Sequence, residues 1–275
     1  MKQSPAERKY ELLLARLGKL PSLLVAFSGG ADSTFLLASA QKAVPGRVLA
    51  ATARSPAFAA REAEHAEATA RILAAEQIFI DSSETEDATF LANPPDRCYY
   101  CKKILFAELR QLAEQERIAA VADGTTADEL EGHRPGARAA RELGIISPLA
   151  EVNLTKEEVR SLARDNGVPN FDRPQSACLA SRFPTGEVIT TEKLKIVEEA
   201  EQTLADLGFH QIRCRYYGPC ARIELDAKEI PRAAQAAARA RVTAKLHELG
   251  FKFVALDLDG YRAGSVVEKA DDAND

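Results

Sequence analysis

The segment Val25-Ala26-Phe27-Ser28-Gly29-Gly30-Ala31-Asp32-Ser33, "VAFSGGADS", decides the fold. An apolar run reading as a buried strand stops at a serine and two glycines. An aspartate and a second serine then open the helical pattern "DSTFLLASAQKA". Strand, Ser-Gly-Gly-x-Asp-Ser and helix together describe an anion site. Gly29 and Gly30 permit positive φ and close backbone approach. The helix start presents free N–H groups and the positive end of its dipole. Ser28 and Ser33 add hydroxyl donors, and Asp32 is suited to holding Mg²⁺ against phosphates. The Gly-Lys-Ser/Thr ending of a Walker loop is missing. The simpler reading is a tight strand-to-helix turn with a polar cap.

Outward from this segment, short apolar runs alternate with helical patterns. Strands are expected at 22–27, 47–52, 77–83 and 118–124. Helices are expected between them, including 59–75 and "CKKILFAELRQLAEQER". That rhythm predicts an α/β fold, a doubly wound parallel sheet with helices on both faces. "LTKEEVRSLARDNG" carries a Thr155–Glu158 capping box and a glycine stop, which predicts a helix. Near residue 170 the pattern changes. "PNFDRPQSACLASRFPTGE" holds three prolines and reads as a joining loop. Beyond it, a helix, two strands, an Ala-rich helix over about 229–249 and a last strand predict a smaller C-terminal α+β domain. The expected domains are 1–170 and 171–275, with a frayed "EKADDAND" tail.

The 275 residues are 46% hydrophobic and 28% charged, which is globular composition. The net charge is −5, and neither domain is a basic block, so bulk electrostatics gives no support for a nucleic-acid partner. No apolar run is long enough to span a bilayer, and the N-terminus lacks the apolar core of a signal peptide. A cytoplasmic protein with no membrane partner is expected, its five cysteines reduced unless they bind a metal or act chemically.

Cys98 and Cys101 form a Cys-x-x-Cys pair in "PPDRCYYCKK", and Cys178 lies in "QSACLASRF". The pair alone is ambiguous among zinc, redox and cluster chemistry. Cys214 and Cys220, with five residues between them, read better as small core residues than as a second zinc pair. Three thiolates can hold a 4Fe-4S cluster with one iron open. Alternatively, Cys178 alone acts as a nucleophile. Arg213 and Arg215 alternate onto one face of a strand, a workable fork for phosphate or carboxylate; surface solubility is the competing reading. The four histidines show no metal spacing. "HRPGAR" (133–138) and "DGYRAG" (259–264) suggest no chemistry.

"SGGADS" resembles the PP-loop of ATP pyrophosphatases, a superfamily with GMP and NAD synthetases, argininosuccinate synthetase and tRNA thiolases. The resemblance implies that Ser28, Gly29, Gly30, Asp32 and Ser33 grip the pyrophosphate leaving ATP while a substrate oxygen is adenylylated. It also suggests that Asp123, Gly124 and Thr125, in "DGTTADE", border the nucleotide, though an ordinary turn and helix cap explains them as well. "PDRCYYCKKILFAEL", "HRPGARAARELGIISPL", "RPQSACLASRFPTGE", "IRCRYYGPCARIE" and "LGFKFVALDLDGYRAGS" together look like the LarE family, from about residue 20 to 265. These are ATP-dependent sulfur transferases of nickel-pincer nucleotide biosynthesis. The resemblance implies adenylylation of a pyridinium-3,5-dicarboxylate mononucleotide, a small-molecule nucleotide substrate, followed by sulfur insertion. It also implies ATP, Mg²⁺ and, because Cys98 and Cys101 replace the pattern of cysteine-sacrificing members, a 4Fe-4S cluster on Cys98, Cys101 and Cys178. Hydrosulfide or another sulfur donor and homo-oligomeric assembly come with the family. By motif position Ser181, Arg182, Glu201, Arg213 and Arg215 would line the sulfur-transfer site, with Cys178 and Glu201 among the catalytic groups. A tRNA thiolase of the same superfamily is the alternative, disfavoured by the acidic charge balance.

Overall fold

The computed structural model describes residues 4–130, 135–173 and 176–262. The described residues divide into two compact units. One comprises 1–87 with 96–176, and the other 88–95 with 177–275.

In the first unit four short strands, β1 (Leu23–Ala26), β2 (Val48–Arg54), β3 (Glu76–Asp81) and β4 (Ala120–Ala122), form a parallel sheet in the order β3-β2-β1-β4. Its main helices are α1 (Pro5–Leu17), α2 (Ala31–Ala43), α3 (Ala60–Ile72), α4 (Arg97–Gln115), α5 (Pro135–Glu142) and α6 (Lys156–Asp165). Strand side chains alternate between faces. Leu23 and Val25 join a core with Phe35, Ala66 and Val159 from α2, α3 and α6. Leu24 and Leu49 join Phe106, Leu109 and Ala139 from α4 and α5 in a second core. A sheet buried on both faces needs apolar residues at successive positions, which is why β1 reads as a continuous run. The parallel sheet with helices on both faces and the separate small sheet are the architecture expected from the sequence.

The chain leaves β1 toward β2 and returns later to place β4 on the other side of β1. The strand order therefore reverses at β1, and the crevice beyond the C-terminal ends of β1 and β4 is where such sheets bind ligands. Helix capping differs between the elements of this unit. Ser4 and Glu7 form a capping box on α1, and Thr155 and Glu158 form one on α6. Helix α2 begins at Gly30 with no side-chain cap. Its first N–H groups are left for something else.

In the second unit α7 (Thr191–Asp206) packs on β5 (Ile212–Tyr217), which pairs antiparallel with β6 (Cys220–Leu225). After α8 (Ala236–Glu248), β7 (Phe253–Leu256) joins β6 in parallel. The Ala-rich segment is not one helix. A turn of helix at Ile230–Ala233 is set off from α8 by extended backbone at Gln235. Arg232 explains the break, because it donates 2.9 Å bonds to the carbonyls of Leu207 and Gly208 and ties that turn to the end of α7.

Segment 88–95 belongs to this unit through Asn93, which is fully buried. Its Nδ2 donates to Pro184 O at 2.6 Å, and its carbonyl accepts from Gly186 N at 2.9 Å. Asn93 has φ +55, a left-handed conformation that asparagine tolerates better than other side chains. Asn93→Ala should lose the bond, leave the Pro184 carbonyl unsatisfied and strain the backbone. The expected loss is about 2–3 kcal/mol. Hydrogen exchange of the β5 amides measures it, and unchanged protection would contradict the role given to Asn93.

Candidate functional site

The loop after β1 is built by close packing. Phe27 N donates to Ala51 O at 2.8 Å, continuing the sheet one residue past β1. Gly29 then turns the chain with φ +71, and a Cβ there would lie 2.8 Å from Ala66 Cα on α3. Glycine is required on both counts. Ser28 Oγ and Ser33 Oγ lie 3.2 Å apart, and Ser33 Oγ donates to Gly30 O at 3.2 Å. The two hydroxyls thus flank the uncapped start of α2.

Gly124, just past β4, presses on the same helix start. A Cβ on it would meet Ser33 N at 3.0 Å and the Asp32 carbonyl carbon at 3.2 Å. Asp123 accepts from Thr125 Oγ1 at 2.7 Å and from Ser147 Oγ at 2.7 Å, which fixes the shape of the second loop. The structure therefore brings Ser28, Gly29, Gly30, Asp32, Ser33, Asp123, Gly124 and Thr125 together at one end of the sheet. Ser147 was missed, because only the tertiary fold shows that it donates to Asp123.

Asp32 is the electrostatic centre of this region. Its Oδ1 is buried and, among the described residues, accepts no hydrogen bond. Burial pushes the carboxyl up to about 6, against the pull of Lys156, the strongest of the nearby charges. Lys156 Nζ itself bonds Glu129 at 2.8 Å. An unpartnered buried carboxylate oxygen beside free helix N–H groups fits a divalent cation carried by phosphates.

In the second unit Cys178 precedes a single 3₁₀ turn, Leu179–Arg182. Arg182 is 2% exposed and Glu201, on α7, is 1% exposed. They pair through two bonds of 2.8 and 2.9 Å. Burial works against the Arg182 charge, but Glu201 more than offsets it and holds the guanidinium above its ordinary range. The remaining nitrogen of Arg182 donates to the carbonyls of Ala177 and Cys178, at 2.8 and 2.9 Å, and to Ser181 Oγ at 3.0 Å. The Cys178 backbone is thereby fixed. Glu201 also accepts from Cys214 N at 3.0 Å, joining the turn to β5.

The two β5 arginines differ. Arg215 donates to Ser181 O at 2.9 Å and to Glu224 at 2.8 Å, while Arg222 shares Glu224 at 2.8 Å. Arg213 is buried, and among the described residues no carboxylate pairs with it. It donates to Ile212 O at 2.6 Å, and its guanidinium lies 4.9 Å from the Tyr261 ring centroid. Burial, and next Arg182, holds its pKa below the ordinary arginine range. A buried cation in this position is stabilised by an anion. Cys178, Ser181, Arg182, Glu201, Arg213 and Arg215 are therefore gathered. Glu224 and Tyr261 were missed; Tyr261 lies in "DGYRAG", whose last two residues fall outside the described ones, as do His133 and Arg134 of "HRPGAR" and the "EKADDAND" tail.

Cys98 and Cys101 lie in the first turns of α4, where the helix dipole favours thiolate. Cys98 is exposed and Cys101 half-buried, whereas Cys214 is buried, which pushes its thiol up. Among the described residues no disulfide forms and no three His, Cys, Asp or Glu side chains are gathered to hold a metal ion. Nor is any described helix long and apolar enough to cross a membrane.

No family model matches the chain. It is 37% identical over 258 residues to pyridinium-3,5-bisthiocarboxylic acid mononucleotide synthase of Lactiplantibacillus plantarum, covering 93% of this chain and 92% of that protein. It is also 39% identical over 260 residues to an uncharacterised protein of Synechocystis, with 94% and 97% covered. A third relative, an uncharacterised protein of Methanocaldococcus jannaschii, is 30% identical over 247 residues, with 89% and 92% covered. Identity of this degree along nearly the full length of a named synthase shows that the chain belongs to the LarE family.

Proposed function

We propose that this enzyme is an ATP-dependent sulfur transferase that converts the carboxylates of pyridinium-3,5-biscarboxylic acid mononucleotide to thiocarboxylates for the nickel-pincer cofactor. The observation that carries the ATP half is the uncapped start of α2 with the unpartnered Asp32 carboxyl beside it, in a chain 37% identical to the named synthase.

A substrate carboxylate oxygen attacks the α-phosphorus of ATP. The α–β bridge breaks, and pyrophosphate leaves onto the N–H groups of α2 with the hydroxyls of Ser28 and Ser33. These donors are already in place, so stabilising the developing charge needs little reorganisation. Bound at Asp32, Mg²⁺ would neutralise the leaving phosphates. Asp123, Gly124 and Thr125 border the nucleotide. A sulfur nucleophile then adds to the acyl carbon of the adenylate, and AMP departs with the former carboxylate oxygen. Arg213 meets a negative group of the substrate. Arg182, held by Glu201, fixes Cys178 at the reacting end, and Arg215 supports the same turn through Ser181.

The accessible thiols of Cys98, Cys101 and Cys178 have the donor chemistry for an iron-sulfur cluster, whereas Cys214 is buried and out of reach of one. The assignment rests on this donor set, a Cys-x-x-Cys pair with a third accessible thiol. A 4Fe-4S cluster there would supply an open iron for hydrosulfide.

Asp32→Asn separates function from stability. Its folded pKa of about 6 lies above the unfolded value of 3.8. The folded state therefore binds the extra proton between those values, and stability falls as pH rises through that window. Above it the charged Asp32 destabilises the nucleotide-free protein by on the order of 1–3 kcal/mol. Asp32→Asn should raise the melting temperature at pH 7.5, with the gain fading below pH about 4, and should abolish Mg²⁺-dependent formation of AMP and pyrophosphate. Retained turnover, or ADP as product, would contradict the assignment.

Arg213→Gln should raise KM for the dicarboxylate nucleotide on the order of 10–100-fold, the range for a lost charge-assisted bond, with little change for ATP. Steady-state kinetics with each substrate varied decides it. Equal effects on both substrates would remove Arg213 from the acceptor site.

A further inference from the structure

One carbonyl of the phosphate loop is held by a side chain from far along the sequence. Asn170 Nδ2 donates to Gly29 O at 3.2 Å and to Thr69 Oγ1 at 2.7 Å. Thr69 Oγ1 donates in turn to His65 O at 2.8 Å, so its lone pairs are left for Asn170. Both amide hydrogens of Asn170 thus have acceptors. Asn170 itself sits at φ +64, a conformation that suits asparagine. Its backbone is secured separately. Arg173 N donates to Asn170 O at 3.1 Å, and the Arg173 guanidinium pairs with Glu62 on α3 at 3.0 Å.

In a trans peptide the carbonyl and the following N–H point in opposite directions. Holding the Gly29 carbonyl toward Asn170 and Thr69 aims the Gly30 N–H the other way, toward the serine hydroxyls. There it meets only Ser28 Oγ, at 3.4 Å, too far for a strong bond. A peptide between two glycines is free to rotate as a unit, because neither residue has a Cβ to resist it. The amide of Asn170 removes that freedom.

We infer that Asn170 is a positioning residue of the anion site: it fixes the Gly29–Gly30 peptide in the orientation that presents the Gly30 N–H to the leaving pyrophosphate. This rests on the reading of Ser28–Ser33 as a pyrophosphate loop.

The test is calorimetry on the full-length protein with Mg²⁺, using inorganic pyrophosphate and AMP as separate probes. Asn170→Asp keeps the shape and tolerates the left-handed backbone but donates nothing. Asn170→Gly keeps the backbone conformation and removes the side chain. Both variants should bind pyrophosphate about tenfold or more weakly, the scale of one lost hydrogen bond with its acceptor unsatisfied. AMP, whose phosphate is not gripped by this loop, should bind within about twofold of wild type. Wild-type protein that binds pyrophosphate, with variants that bind it equally well, would overturn the role of Asn170 alone. Pyrophosphate and AMP weakening together in both variants would show general loosening and would also overturn it. Wild-type protein that fails to bind pyrophosphate would overturn the loop reading, and the inference with it.

Discussion

A buried carboxyl oxygen with no partner, Asp32 Oδ1, stands at the start of α2, and the surrounding structure is arranged so that it stays unpartnered. Gly29 lets the loop settle onto Ala66, and Gly124 lets β4 press on Ser33. The helix begins without a side-chain cap. A hydroxyl or amide in any of these places would satisfy the groups locally and fill the cradle. The folded state instead accepts a raised Asp32 pKa and open N–H groups. Such unsatisfied groups are retained where a ligand completes them. The other helices with capping boxes, α1 and α6, and the ion pair joining them, Lys9 with Glu158 at 2.8 Å, offset this locally unfavourable corner.

The second unit carries a comparable imbalance. Arg182, Arg213 and Arg215 are buried with Glu201 and Glu224. Two of the arginines have well-formed carboxylate pairs, and both bond the turn that follows Cys178. Removing one partner of such a pair leaves a buried charge, at about 3–5 kcal/mol, so the turn is firmly held. Arg213 is the cation left over. Arg182 repels it, and the nearby Glu201 carboxylate, already paired with Arg182, only partly offsets burial and that repulsion. Rigid support next to one unneutralised charge is the arrangement expected of an anion subsite.

The Ser28–Ser33 loop was legible because its chemistry is contiguous: six residues between a strand and a helix carry the glycines, hydroxyls and carboxylate. The sheet was legible because burial on both faces forces apolar residues at successive positions of β1 and β2. The α6 capping box was equally local. What escaped is tertiary. Asn170 to Gly29, Ser147 to Asp123 and Asn93 to Pro184 are bonds between residues far apart in sequence or with no periodic signal. Arg213 and Arg215 look alike on an alternating strand. Only Glu224 and Ser181, reached through strand pairing and the Cys178 turn, distinguish a supporting arginine from an unneutralised one. The Ala-rich run over 229–249 read as one helix because propensity does not register Arg232 capping the end of α7.

In the proposed reaction a substrate carboxylate oxygen is transferred to AMP before sulfur takes its place. Substrate labelled with ¹⁸O in both carboxylates, turned over with unlabelled ATP and a sulfide donor, tests this in one mass-spectrometric measurement. AMP should carry one ¹⁸O for each thiocarboxylate formed, with unlabelled pyrophosphate. Unlabelled AMP alongside thiocarboxylate product would contradict it.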